Sequence, residues 1–186
     1  MAGASVRVLL VEGSAGNVHL MRLALREVGD NFELTWARGL AAALALLTRD
    51  RGEIELALQL LVYPMLDDRS PRSAPRHEYR LWSPRSNRFG WAAYLGATDP
   101  EVAVPARRDD LTGLAPAWIG VGTCDLLHDE ALTYAERLRS AGVPCHVEVV
   151  PGAFHSFDRA APKAQVSREF FAAQCAALCA ALGPHD

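Results

Sequence analysis

Three short stretches of the chain carry side chains that could do chemistry: "GTCDLLHDE" (122–130), "GAFHSFD" (152–158) and "EGSAGN" (12–17). The first holds Asp125, His128, Asp129 and Glu130, the second His155, and the third Ser14. A carboxylate beside an imidazole makes a general base, because the carboxylate orients the ring and raises its basicity. An aspartate with two imidazoles, here Asp125, His128 and His155, is also a ligand set for a divalent metal such as zinc. With a coordination position left open, metal-bound water would ionise near neutral pH. Asp129 and Glu130 also suit the positive start of a helix. Ser14, in a strand–turn–helix setting, reads as a nucleophilic hydroxyl or as a helix cap.

These residues become a site only if the elements around them converge. "VRVLLVE" (6–12) is an apolar, β-branched run of the buried parallel-strand type. "NVHLMRLALREVG" (17–29) places Val18, Met21, Leu25 and Val28 on one helical face, with Gly29 as terminator. "FELTWA" (32–37) is a strand, "GLAAALALLTRDRG" (39–52) a helix, and "LALQLLVYP" (56–64) a strand ended by Pro64. Residues 65–114 are a long excursion rich in Pro, Arg, Ser and Asp, with one short helical piece at 87–96. Strand 117–122, helix 129–141, strand 145–150 and helix 163–182 follow.

This alternation predicts an α/β fold, a three-layer sandwich of about five mainly parallel strands flanked by helices, in one domain over 1–186. The expected strand order is 2-1-3-4-5, with 1-2-3-4-5 as the alternative. Ligands of such sheets bind at the carboxyl ends of the strands. All three chemistry-bearing loops leave that edge, and neighbouring strands lie about 5 Å apart, so Asp125 and His155 are placed to hydrogen-bond. Asp67 and Asp68, after the third strand, stand at the same edge and could help to bind a cation.

Bulk properties narrow the partners. With 50% hydrophobic and 22% charged residues, the 186-residue chain reads as one globular domain. A net charge of -3 offers no basic patch, which argues against nucleic acid. No apolar stretch has the length of a membrane span, so no membrane partner is expected. The first residues lack a secretion-signal pattern, and Cys124, Cys145, Cys175 and Cys179 are scattered as reduced thiols would be. The expected compartment is the cytoplasm.

From about residue 40 to 182 the chain resembles the carboxyl-terminal half of an α/β-hydrolase of the hormone-sensitive lipase esterase family. The stretches that carry the resemblance are "LAAALALLTRDRGE", "LQLLVYPMLDDR", "FGWAAYLG" and "PARRDDLTGLAPAWIGVGTCDLLHDEALTYAERLRSAGVPCHVEVVPGAFHSFD". It implies a small-molecule ester substrate, with Asp125 as catalytic acid and His155 as catalytic base. The family's oxyanion motif has no counterpart here. Its nucleophile motif, Gly-Asp-Ser-Ala-Gly, should stand directly before "LAAALALL", where this chain reads "LTWARG". Residues 6–37 instead are similar to the first βαβ unit of a response-regulator receiver domain, Glu12 matching one acidic-pocket residue and Gly13 replacing another. The third receiver strand, which would carry the phosphoacceptor, is absent, so phosphorelay is not expected.

The chain therefore reads as a truncated α/β-hydrolase and flavodoxin-like hybrid. A sheet shortened in this way leaves an edge that invites homodimerisation, for instance by strand exchange. The leading expectation is an ester hydrolase for activated carboxyl or phosphate esters, with water activated at Asp125 and His155 and a divalent metal, zinc, also held by His128. The second is a serine esterase using Ser14, His155 and Asp125, which needs no cofactor. Glu12 occupies a position where a nucleophile elbow needs a small residue, so a cap is the favoured role of Ser14. The third is an inactive remnant that serves as a binding or assembly module.

Overall fold

A computed structural model of the chain describes residues 41–52, 55–70 and 79–183, together with the backbone of 6–11 and 32–37. Strands β1 (Val6–Val11) and β2 (Phe32–Ala37) pair in parallel, Val6 opposite Phe32 and Val11 opposite Ala37. Strands β3 (Gln59–Val62), β4 (Ala117–Gly122) and β5 (Cys145–Val150) form a second parallel sheet in the order β3-β4-β5. The paired strands among the described residues are thus parallel, as expected. The single five-stranded order is not: among the described residues β3 hydrogen-bonds to β4 alone, and β1 and β2 to each other. The helix expected at 17–29 lies outside the described residues.

Residue alternation along β3 and β4 divides the core into two layers. Leu61, Ile119 and Val121 face one side, where they meet helix α1 (Ala41–Arg51) and helix α4 (His128–Ser140). Those helices contribute Ala42, Ala45 and Leu46, and Ala131, Tyr134, Ala135 and Leu138, at helical spacing. Trp118 and Val150 face the other side, packing with Phe157 and with Phe170 of helix α6 (Gln165–Leu182). A Cβ on Gly120 would stand 2.6 Å from the Phe170 ring, so only glycine lets α6 lie this close. The result is helix, sheet and helix in three layers.

The described parts of the excursion, 65–70 and 79–114, hold more regular structure than their composition suggests. Helix α2 (Pro84–Leu95) begins three residues before the expected 87, because the Ser83 hydroxyl caps the Ser86 amide at 3.1 Å and Pro84 opens the helix. A short helix α3 (Pro100–Ala103) and a 3₁₀ turn (Pro105–Arg107) follow. The Arg107 guanidinium grips both Asp68 oxygens at 2.8 Å, Arg69 pairs with Asp67 at 2.7 Å, and Arg49 donates to the carbonyls of Asp110 and Thr112 at 3.0 Å. Asp67 and Asp68 are therefore arginine partners that fasten the excursion rather than a cation site. Helix α5 (Phe157–Ala160) completes the elements among the described residues. No helix among the described residues is long and apolar enough to cross a membrane.

Candidate active site

The register of the sheet brings the two loops together. Gly122 stands opposite Val150, so β4 and β5 end level and their following loops start side by side. The loops are then stitched: Thr123 N donates to Val150 O at 3.0 Å, Cys124 N to Ala153 O at 2.9 Å, and Gly152 N to Thr123 Oγ1 at 2.8 Å. A Cβ on Gly122 would lie 2.1 Å from the Ala153 carbonyl oxygen, so this approach requires glycine.

Asp125 and His155 meet across that seam. His155 Nδ1 lies 3.0 Å from Asp125 Oδ2 and 3.3 Å from Oδ1. The Asp125 side chain is fully buried, and its Oδ1 also accepts from the Leu127 amide at 3.0 Å. A carboxylate accepts, so Nδ1 carries the proton and Nε2 presents its lone pair. Among the described residues Nε2 has no hydrogen-bond partner. The imidazole keeps 14% of its side-chain surface exposed. A buried carboxylate, an oriented ring and an uncommitted distal nitrogen are the parts of a general base.

Aromatic rings wall this imidazole. Trp82 stacks on it with centroids 5.2 Å apart and planes at 27°, and Tyr63 lies 5.0 Å away, tilted by 57°. Tyr63 also donates its hydroxyl to Asp158. Two non-glycine residues beside the ring adopt left-handed backbone, Tyr63 at φ 39° and Ser156 at φ 58°, a conformation that collects at functional sites. Neither Trp82 nor Tyr63 stood out in the sequence. The Ser-Pro cap after Trp82 is the one local signal that could have fixed its position.

Glu130 was readable only as part of an acidic first turn. Its residue is 8% exposed, and its Oε1 accepts from the Leu66 amide at 2.8 Å. Burial lifts its carboxyl from an ordinary 4.5 to about 7, against the opposing donors Leu66 N, Ser70 and Asp67 N. It ties the start of α4 to the segment after β3.

The expected three-ligand metal set does not assemble. Helix α4 begins at His128 itself, so Asp125 belongs to the preceding turn, with its amide on Gly122 O at 3.1 Å. The two side chains then diverge: Asp125 turns to His155, whereas His128 Nδ1 pairs with Asp129 Oδ1 at 2.8 Å. No group of three His, Cys, Asp or Glu residues among the described residues is arranged to hold a metal ion. Ser14 lies outside the described residues. A cavity of about 410 Å³, lined by Thr48, Arg49, Leu56, Leu114 and Pro116, opens at the amino ends of β3 and β4, away from the Asp125–His155 pair.

Residues 39–159 match the family model described as alpha/beta hydrolase fold. The chain belongs to the alpha/beta hydrolase fold family. Relatives of this hydrolase-fold chain include an ethyl acetate hydrolase of Pseudomonas putida, 31% identical over 161 residues, covering 82% of this chain and 48% of the relative. The esterase LipI of Mycobacterium tuberculosis is 30% identical, covering 84% and 49% respectively. Among solved structures, the esterase LipW from Mycobacterium marinum superposes with a TM-score of 0.72 at 34% identity, covering 89% of this chain and 55% of that one. A bacterial heroin esterase gives 0.71 at 30% identity, covering 91% and 58%. The chain thus spans about half the length of the relatives it matches.

Proposed function

We propose that this chain is an ester hydrolase of small carboxyl esters in which His155, held by Asp125, is the general base. One observation carries the reading: His155 Nδ1 sits on a buried carboxylate while Nε2 has no partner among the described residues. Family membership and the ester-hydrolysing relatives support the reaction class. Nε2 takes a proton from the attacking oxygen, the ester carbonyl becomes tetrahedral, and the imidazolium, stabilised by Asp125, returns the proton to the departing alcohol.

The attacking oxygen belongs to water directly, or to a hydroxyl whose acyl ester is then cleaved by water on the same base, releasing the acid and restoring the hydroxyl. The fold favours a serine hydroxyl, for which Ser14 is this chain's candidate; water on Nε2 is the other form of the same chemistry. No step is routed through zinc, because His128 is engaged by Asp129.

Hydrolysis of p-nitrophenyl acetate tests the proposal. His155→Ala should lower turnover by roughly 10²-fold or more, the usual worth of a positioned base. Incubation with EDTA should leave the rate unchanged, and a fluorophosphonate probe should label Ser14 if the hydroxyl form operates. A His155→Ala variant as fast as the parent would overturn the reading.

A further inference from the structure

We propose that Trp82 is a positioning residue for His155: its indole fixes the imidazole plane so that Nδ1 stays on Asp125 and Nε2 remains the free nitrogen. The inference rests on the reading of His155 as general base. An imidazole hydrogen-bonded at one nitrogen can still swing about that bond. Here Trp82 covers one face at 5.2 Å and 27°, with Tyr63 against the ring at 5.0 Å, which restricts that swing.

The indole is itself anchored. Its Nε1–H donates to Asn87 Oδ1 at 3.1 Å, and Asn87, with no exposed surface, donates through Nδ2 to the Ser70 carbonyl at 2.5 Å. Ser70 N donates to Asp67 O at 3.2 Å, and the neighbouring Leu66 amide donates to Glu130 Oε1. The anchor therefore runs from the indole, through α2 and the segment after β3, to the first turn of α4, which follows the Asp125 turn. Trp82 and Asp125 approach His155 from two elements fastened to each other. Asn87, whose amide oxygen and nitrogen are both engaged, is the kind of buried polar group that holds one arrangement.

The test is ¹⁵N spectroscopy of His155 in mildly alkaline solution, run beside ester kinetics. The parent should show one neutral tautomer, Nδ1 protonated and Nε2 bare. In Trp82→Ala the two nitrogen shifts should move toward each other, and kcat should fall about tenfold with KM nearly unchanged, the mark of lost alignment. Trp82→Phe, which keeps a ring over the imidazole, should restore the tautomer signature. Trp82→Leu keeps volume without a stacking ring and replaces Trp82→Ala if that variant does not fold. An unchanged signature in Trp82→Ala or Trp82→Leu overturns the proposal, as does a rise in KM alone, which would make Trp82 a substrate contact. If the parent turns over no ester yet Trp82→Ala loses the signature, positioning stands and the esterase reading falls.

Discussion

At the level of single residues, the site is set by where each polar side chain finds its partner. Asp125 and His155 were legible as a pair because both residue types fall just after a strand at the carboxyl edge. His128 does not join them, because three residues of separation place two side chains on one face only inside a helix, and Asp125 lies in the turn before α4. Glu130 could not be recognised from its neighbours, since its burial depends on Leu66 and Ser70 far away in the chain. It also carries a prediction. Its folded-state pKa of about 7 exceeds its ordinary 4.5, so the folded chain holds this proton more tightly than the unfolded one. The associated stability is fully present below about pH 4.5 and is lost as pH rises through about 7, on the order of 3 kcal/mol. Urea unfolding at about pH 5 and about pH 8 should show that decline in the parent and a shallower one in Glu130→Gln. Equal slopes would show that Glu130 keeps its ordinary pKa.

At the scale of elements, what makes the site is the level ending of β4 and β5 and the seam between their loops. Strands 117–122 and 145–150 were readable to the residue, because Pro116, Gly122, Pro144 and Pro151 bound an apolar run in the first and an alternating one in the second. β3 spans Gln59–Val62 within the expected 56–64, and it stops at Val62 because Tyr63 turns left-handed. Nothing local announces that turn except Pro64. The seam gives the sharpest test at this scale. Gly122→Ala drives a methyl into the Ala153 carbonyl, which is backbone and must shift, so His155 moves off Asp125. We expect a loss of about 1–3 kcal/mol in thermal or urea unfolding, as for other overpacked sites, with ester turnover falling further than stability. A variant of parental stability and rate would mean that the loops do not need this close approach.

At the scale of the whole molecule, the matched region is the part of the chain that bears Asp125 and His155, on a chain about half as long as its relatives. Alternation of strands and helices announced three layers and parallel pairing, and both are present. It did not announce that, among the described residues, β1 and β2 pair with each other and β3, β4 and β5 pair apart from them, since periodicity fixes which face of a strand is buried and not which strand it joins. The receiver-like reading of 6–37 rests on sequence, and its connecting residues lie outside those described. The claim that joins all three scales is that a carboxylate-oriented imidazole at the β4–β5 edge drives ester hydrolysis. Asp125→Asn tests it most directly, because the amide is nearly isosteric but lets the ring adopt the other tautomer. Measured with p-nitrophenyl acetate, the variant should keep its fold and lose roughly 10²–10⁴-fold in kcat. A folded Asp125→Asn chain hydrolysing the ester within about twofold of the parent rate would contradict the account, since a pair worth a full general base cannot be removed so cheaply.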